Sequence, residues 1–404
     1  MYKKRILIIP SWYPTPKNKM KGGFFREQAL LFKDHFDFFV VTITPLRVGV
    51  VNFLYRYIKK KFTYFDIEIP PDGLGIIYLQ VKYPKFLSVI KPISEFFERT
   101  NYRIMFKFSF LSLTKVINRI NWQPDLIHAQ SVVDGGIFAN YLSRKFNIPY
   151  ILTEHQLFLL QNFTVCKINL IFDSFYNAKK VLAVSEHQKR QILMNGITCC
   201  PEVIGNLVDD SLFFINKEKR NVFNILVVTY PSYIKDNETF FNAIKLLKSD
   251  GITDFKALII GGDFDNLDLK DKNNPLFNQA ESFGLVEDVE ILNYVHRERM
   301  PEYYNKSDVF VSTSIAETFG VAQCEAMMCG VPVIATANGG IDDMISEKNG
   351  IKIPIQDYKA LAKAILQIKN KEVQFKPNEI RNSVINKFGK DAFKKKLLEV
   401  YSNL

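Results

Sequence analysis

The strongest constraint on the fold is a series of short, almost wholly apolar runs, each closed by polar residues. "RILIIPSWYP", "FFVVTIT", "PDLIHAQ", "PYILTEH" and "KKVLAVSE" follow one another through the first half of the chain. A strand that is apolar on both faces has to be covered on both faces, as in a parallel sheet layered with helices. "GGFFREQALLFKDHF", between the first two runs, has helical spacing. The chain therefore opens strand, glycine loop, helix, strand, the start of a parallel α/β domain. Open parallel sheets hold ligands at the carboxyl ends of their strands, where these runs carry their polar residues.

A second series of the same kind begins after "VIGNLVDDSLF". "FNILVVTY", "FKALIIGGD", "VEILNYV", "SDVFVSTS" and "VPVIATA" read as strands, and "ETFFNAIKLLKSDG" as a helix stopped by Gly251. With 404 residues there is room for two cores. The pattern predicts two Rossmann-like, doubly wound α/β domains, 1–207 and 208–381. A tail, 382–404, forms one or two closing helices.

Within the first domain the stretch 47–120 is aromatic, basic and less regular. Pro70, Pro71 and Pro84 read as breaks, and "KFLSVIKPISEFFERTNYRIMFKFSFLSLTKVINRI" reads as amphipathic helix interrupted near Pro92. From Arg47 to Arg119 thirteen Lys/Arg stand against five acids, a local excess of +8 in a chain of net charge +11. Such a patch attracts anions. Three readings are open: a solvated face on packed helices, docking on an anionic membrane surface, and nucleic acid. No nucleic-acid motif accompanies the charge, so no nucleic-acid partner is expected. There is no run of about eighteen apolar residues, hence no expected membrane-spanning helix. "MYKKRILIIPSWYP" reads as a strand and not as a signal peptide. Five cysteines form neither a disulfide framework nor a metal spacing. These features suit a cytoplasmic protein, peripheral at the inner face of the plasma membrane if the patch docks there.

"SIAETFGVAQCEAMMCGVPVIA" carries Glu317 and Glu325. The strand before it ends near Ser314, Thr318 is the expected N-cap, and the helix runs to about Cys329 with Gly330 as its stop. The first turn offers unpaired backbone N–H groups to an anion, and Gly320 permits close approach. Glu325 shares a face with Val321, Cys324, Met328 and Cys329, so its carboxylate points inward and needs hydrogen-bond donors. A vicinal diol supplies two. On spacing alone a plainer reading stays open: a loop acid followed by a solvated helical glutamate.

The segment "STSIAETFGVAQCEAMMCGVPVIATANGG" closely resembles the nucleotide-sugar segment of retaining GT-B glycosyltransferases of family four. The shared positions are Glu317, Glu325, Ala326, Gly330, Pro332, Val333, Ile334, Gly339 and Gly340. "PSWYPTPKNKMKGGFFREQA", "PDLIHAQ", "LTEH", "VSEHQKRQI" and "VIGNLVDDSLF" extend the likeness over nearly the whole chain, with 47–120 least covered. The resemblance implies a GT-B fold, two Rossmann-like domains facing each other across a cleft. The first domain would bind the acceptor and the second the nucleotide sugar, with the tail crossing back to the first. It implies that Glu325 holds the donor ribose and Glu317 the transferred sugar. Backbone N–H groups around Phe319, Gly320 and Val321 would meet sugar and diphosphate. His155 would line the sugar pocket as a catalytic residue, and Gly22 and Gly23 would let a loop close on the diphosphate.

Lys235 matches the family's lysine, but Thr229 and Tyr230 stand for its glycine and arginine, so half of the usual cationic clamp is missing. Gln130 stands where many relatives have a second histidine. His128, Asn206 and Tyr230 are further candidates for the cleft; for His128 a hydrogen-bonded core position is equally open. Asp263-x-Asp265 is read as a loop and not as a metal site. The implied activity is retaining, metal-independent sugar transfer, with no metal or other cofactor. The donor would be a nucleotide diphosphate sugar, uridine-linked for preference. The acceptor would be a glycan or lipid-linked species in cell-surface polysaccharide synthesis. A non-catalytic glycosyltransferase-like subunit that binds a partner enzyme or glycan is the competing reading.

Overall fold

The computed structural model describes residues 2–14, 22–59, 63–84, 91–157, 159–216, 221–261 and 274–404. The chain divides into two compact units. The first comprises Met1–Val184, Lys189–Ile204 and Glu399–Leu404, and the second Ser185–Gln188 and Gly205–Leu398.

The first unit is built on one sheet of eight strands: β1 (Arg5–Pro10), β2 (Asp37–Val48), β3 (Thr63–Glu68), β4 (Gly75–Pro84), β5 (Leu126–Gln130), β6 (Tyr150–Glu154), β7 (Lys180–Ala183) and β8 (Glu202–Val203). Their order is β3-β4-β2-β1-β5-β6-β7-β8. Every pairing is parallel except β3 on β4. All five residues of β5 and of β6 are buried, as wholly apolar runs covered on both faces should be. Leu7, Ile127, Leu152, Phe138 and Trp122 are among the residues of one continuous core.

The stretch 47–120 is more regular than its composition suggests. It holds the helix Val50–Ile58, strands β3 and β4, and a single helix, Lys91–Arg119. Pro92 does not interrupt that helix. It stands in the first turn, where a missing N–H breaks no helical bond. β3 alternates half-buried and exposed residues along its length, the pattern of an edge strand, and pairs antiparallel.

The second unit has six strands: β9 (Phe223–Val228), β10 (Phe255–Ile260), β11 (Val289–Leu292), β12 (Val309–Ser312), β13 (Val333–Thr336) and β14 (Gly350–Ile353). The order is β11-β10-β9-β12-β13-β14, parallel throughout. Ile225, Val227, Phe240, Val311 and Ile334 lie in its core. In each unit the winding reverses once beside the first strand, between β1 and β5 and between β9 and β12. At such a switch point the two neighbouring loops diverge and leave a crevice beyond the carboxyl ends.

Candidate functional site

The second unit's switch point gathers most of the residues singled out by sequence. The loops leaving β9 and β12 are tied together: Ile315 N–H donates to Ile234 O at 2.7 Å, and Thr313 Oγ1 to Lys235 O at 3.1 Å. This places Lys235 against Glu317, Nζ to Oε1 at 2.5 Å, with both side chains less than a fifth exposed. Ser314 Oγ donates to the same carboxylate oxygen at 3.0 Å. Glu317 also forms an isolated parallel bridge with Gly339, so the loop after β13 closes on it. The Lys235 ammonium lies 5.4 Å from the centroid of the Tyr230 ring. Lys235, from the same loop, is thus a cation beside Tyr230 among the described residues.

Glu317 is followed by the helix Val321–Met328. The expected N-cap, Thr318, is not the cap. Gly320 is, in the left-handed region at φ 93°, and no side chain caps this end. A Cβ at Gly320 would stand 2.4 Å from Ile341 Cγ2, so both the backbone angle and the space require glycine. The first-turn amides therefore lack a side-chain acceptor from the cap position. Phe319 is buried, its ring 4.9 Å from that of Phe388, and only its backbone can serve a ligand. Cys329 ends the helix and Gly330, at φ 69°, follows, as expected.

Glu325 points inward as predicted and is 6% exposed. Its donors come from the chain itself. Arg297 Nε donates to Oε1 at 2.9 Å and Tyr304 Oη to Oε2 at 3.1 Å. Burial, then the Glu325 charge, pushes the Tyr304 hydroxyl well above its ordinary value and keeps it a donor. The guanidinium of Arg297 lies 5.2 Å from the Phe213 ring centroid. A carboxylate has about four lone-pair sites, and Arg297 and Tyr304 are among the donors that meet those of Glu325.

The first unit builds a smaller constellation at the ends of β1, β5 and β6. His155 follows β6, is 7% exposed, and sets Nε2 at 2.7 Å from Gln130 Oε1 at the end of β5. Gln130 thereby fixes the ring with Nε2 as donor. The fully buried Glu154 accepts from the N–H groups of Val132, His155 and Gln156 at 2.7–2.9 Å. Burial pushes its carboxyl up to about 7, against the lowering effect of those amides. Phe24 and Phe25 bring their rings to 5.3 and 5.1 Å from His155. They sit on the helix Gly23–Leu30, whose N-cap is Gly22 at φ 81°. A Cβ there would meet Trp12 O at 2.7 Å, whereas one at Gly23 would meet nothing within 4 Å.

The remaining candidates part company. His128 is buried in the first unit with Nδ1 2.6 Å from Tyr401 Oη and Nε2 2.7 Å from Thr153 Oγ1. Burial pushes its imidazole down to about 3. It is the core histidine of the two readings and does not line a cleft. Asn206 is 6% exposed, and its Oδ1 has no hydrogen-bond partner among the described residues. Tyr230 is 39% exposed. Asp263 and Asp265 lie outside the described residues. Sequence reasoning missed Arg297, Tyr304 and Ser314 as partners of the two acids. Arg297 and Tyr304 follow β11, 28 and 21 positions before Glu325, and no local pattern links them to it. The one signal was the basic run "HRER" just past a strand's carboxyl end.

Two doubly wound sheets, parallel but for the edge strand β3, with a lysine, two acids and an uncapped helix start around one switch point, define a protein of the GT-B class. The chain belongs to the family-four glycosyltransferases. Residues 209–388 match the family model for glycosyl transferases group 1, and residues 80–212 match that for glycosyltransferase family 4. An alpha-monoglucosyldiacylglycerol synthase of Streptococcus pneumoniae is 24% identical over 60% of this chain and 58% of its own length. The chain thus spans under two thirds of that relative. A putative teichuronic acid biosynthesis glycosyltransferase of Bacillus subtilis is 24% identical over 91% of this chain and 90% of its own. The Anabaena protein HepE, solved in complex with UDP, superposes with a TM-score of 0.71 at 16% identity, covering 99% of this chain and 100% of its own.

Proposed function

We propose that the protein is a retaining, metal-independent glycosyltransferase. It moves a sugar from a nucleotide diphosphate donor, uridine-linked, to a glycan or lipid-linked acceptor in cell-surface polysaccharide synthesis. The observation that carries this reading is the Lys235–Glu317 pair beside the uncapped start of the helix Val321–Met328. When the bond from the sugar's anomeric carbon to the diphosphate breaks, the electron pair leaves with the diphosphate. Charge then grows on phosphate oxygens. Lys235 and the amides at Gly320 and Val321 are positive groups held in place before it grows, the arrangement that lowers such a barrier most. Glu317 takes sugar hydroxyls and Glu325 the ribose hydroxyls. The chain's own cations do this work, so the reading asks for no metal.

In this reading the second unit holds the donor and the first the acceptor. His155, oriented by Gln130, serves the sugar pocket, and Gly22 and Gly23 shape the loop that meets the diphosphate. The basic excess of 47–120 supports attraction to an anionic membrane surface, at the inner face of the plasma membrane. The UDP complex of HepE supports the choice of uridine. The name of the B. subtilis relative supports the polysaccharide role.

Calorimetry with UDP and GDP, followed by a donor-hydrolysis screen with and without EDTA, tests the proposal. UDP binding and hydrolysis of one UDP-sugar unaffected by EDTA are expected. Binding of neither nucleotide would favour the non-catalytic subunit instead.

A further inference from the structure

The helix Val50–Ile58 shows solvent an apolar face that no described residue covers. Val51, Leu54, Tyr55 and Ile58 are 82, 53, 63 and 76% exposed, and Val50 is 39% exposed. Positions 50, 51, 54, 55 and 58 fall on one side of a helix of 3.6 residues per turn. The opposite side is anchored. Phe53 is 8% exposed and packs with Val81 and Phe108. The helix is therefore held on the first unit with its apolar face turned outward. A soluble surface rarely shows so many contiguous large apolar side chains without a partner for them.

Charge points to the partner. From Arg47 to Phe65 the sequence carries five cations and no acid. Arg56 is within the helix, its Nε bonded to Asn52 Oδ1 at 2.7 Å, and Lys59 is exposed just after it. Apolar and aromatic residues on one face, flanked by cations, is the composition of a helix lying in the plane of an anionic bilayer surface. A pocket of about 680 Å³ adjoins this segment. Pro45 and Arg47, on the strand that leads into the helix, line it together with Ser11, Tyr102, Phe106 and Asn101. Asn101 Oδ1 is buried there with no hydrogen-bond partner among the described residues.

We propose that the helix Val50–Ile58 inserts its apolar face into the headgroup layer of an anionic bilayer, beside this pocket. The docking goes beyond electrostatic attraction: the cations steer, and the apolar side chains hold. It names the element behind the membrane part of the functional reading and rests on that part alone, not on the chemistry of transfer.

Sedimentation of the full chain with phosphatidylcholine vesicles, with and without phosphatidylglycerol, tests it. Binding to the anionic vesicles is expected, with part of it surviving about 0.5 M NaCl. Val51→Glu and Ile58→Glu, each at a strongly exposed position and each checked for an unchanged far-UV spectrum, should weaken binding about tenfold. Vesicle binding by both variants equal to the unaltered chain, with complete loss in salt, would overturn insertion and leave surface attraction standing. No vesicle binding at all would overturn both. A dimer of the unaltered chain that either variant converts to monomer would show a second copy to be the occupant and also overturn the proposal. UDP binding is measured separately, so failure here and failure of the transferase reading are told apart.

Discussion

Lys235 and Glu317, eighty-two positions apart in sequence, meet as a 2.5 Å ion pair across the switch point of the second sheet. The lysine proposed for the donor diphosphate is thus already engaged by the acid proposed for the donor sugar. In the proposed reading an incoming diphosphate competes with Glu317 for the lysine and frees the acid for hydroxyls. Lys235→Ala should weaken UDP binding by about 1.5–3 kcal/mol, the scale of a hydrogen bond to a charged group. Glu317→Gln releases the lysine and should bind UDP no more weakly than the unaltered chain while turnover falls about a hundredfold. Calorimetry and initial rates check both. A Glu317→Gln variant with normal turnover would remove that residue from the chemistry.

Glu325 sits between Arg297 and Tyr304, so its removal leaves a half-buried guanidinium without its carboxylate. Glu325→Ala should lower stability by about 2 kcal/mol and weaken UDP binding by about 1–3 kcal/mol. Adding Arg297→Met should recover part of the stability, because the charge that faced Glu325 is gone, but none of the UDP affinity. Urea unfolding and calorimetry of the two variants separate the structural effect from the binding effect.

Gly22 and Gly23 look interchangeable in sequence and are not. Gly22→Ala forces a Cβ onto Trp12 O from a left-handed backbone, at a cost of about 1–3 kcal/mol. Gly23→Ala meets open space and should stay within about 0.5 kcal/mol of the unaltered chain. Both tryptophans, Trp12 and Trp122, belong to the first unit, so their fluorescence during urea unfolding reports on that unit.

His128 gives the first unit an acid-labile core. Its folded value is pushed down to about 3, against about 6.5 in an unfolded chain. Below the unfolded value the unfolded state takes up a proton that the folded state refuses. This contribution is complete above about pH 6.5 and is lost as pH falls toward 3. Glu154, pushed up to about 7, acts oppositely: its term is present at low pH and lost as pH rises through about 7. The comparison is therefore between unaltered chain and variant. His128→Gln should lose less stability than the unaltered chain between pH 7 and pH 5, read by tryptophan fluorescence in urea. Equal losses would exclude the imidazole as the source.

The apolar runs determined both parallel sheets by themselves, because a strand covered on two faces admits few other readings. The apolar face that Glu325 shares with Val321, Cys324, Met328 and Cys329 pointed it inward, since 3.6-residue periodicity depends only on local sequence, although spacing alone left a solvated glutamate open. β3 and β4 were not legible, because the prolines at 70, 71 and 84 read as breaks and the six-residue edge strand β3 is defined only by its antiparallel pairing with β4. Gly320, not Thr318, is the cap, and Ile341, a residue from another loop, leaves no room for a side chain there. The partners of the two acids were decided by tertiary structure alone. Lys235 with Glu317 and Arg297 with Glu325 join loops from different strands, and Gln130 reaches His155 only because β5 pairs with β6. Local spacing fixes where a side chain points, but which charge it meets depends on strand order, and strand order is a property of the folded sheet.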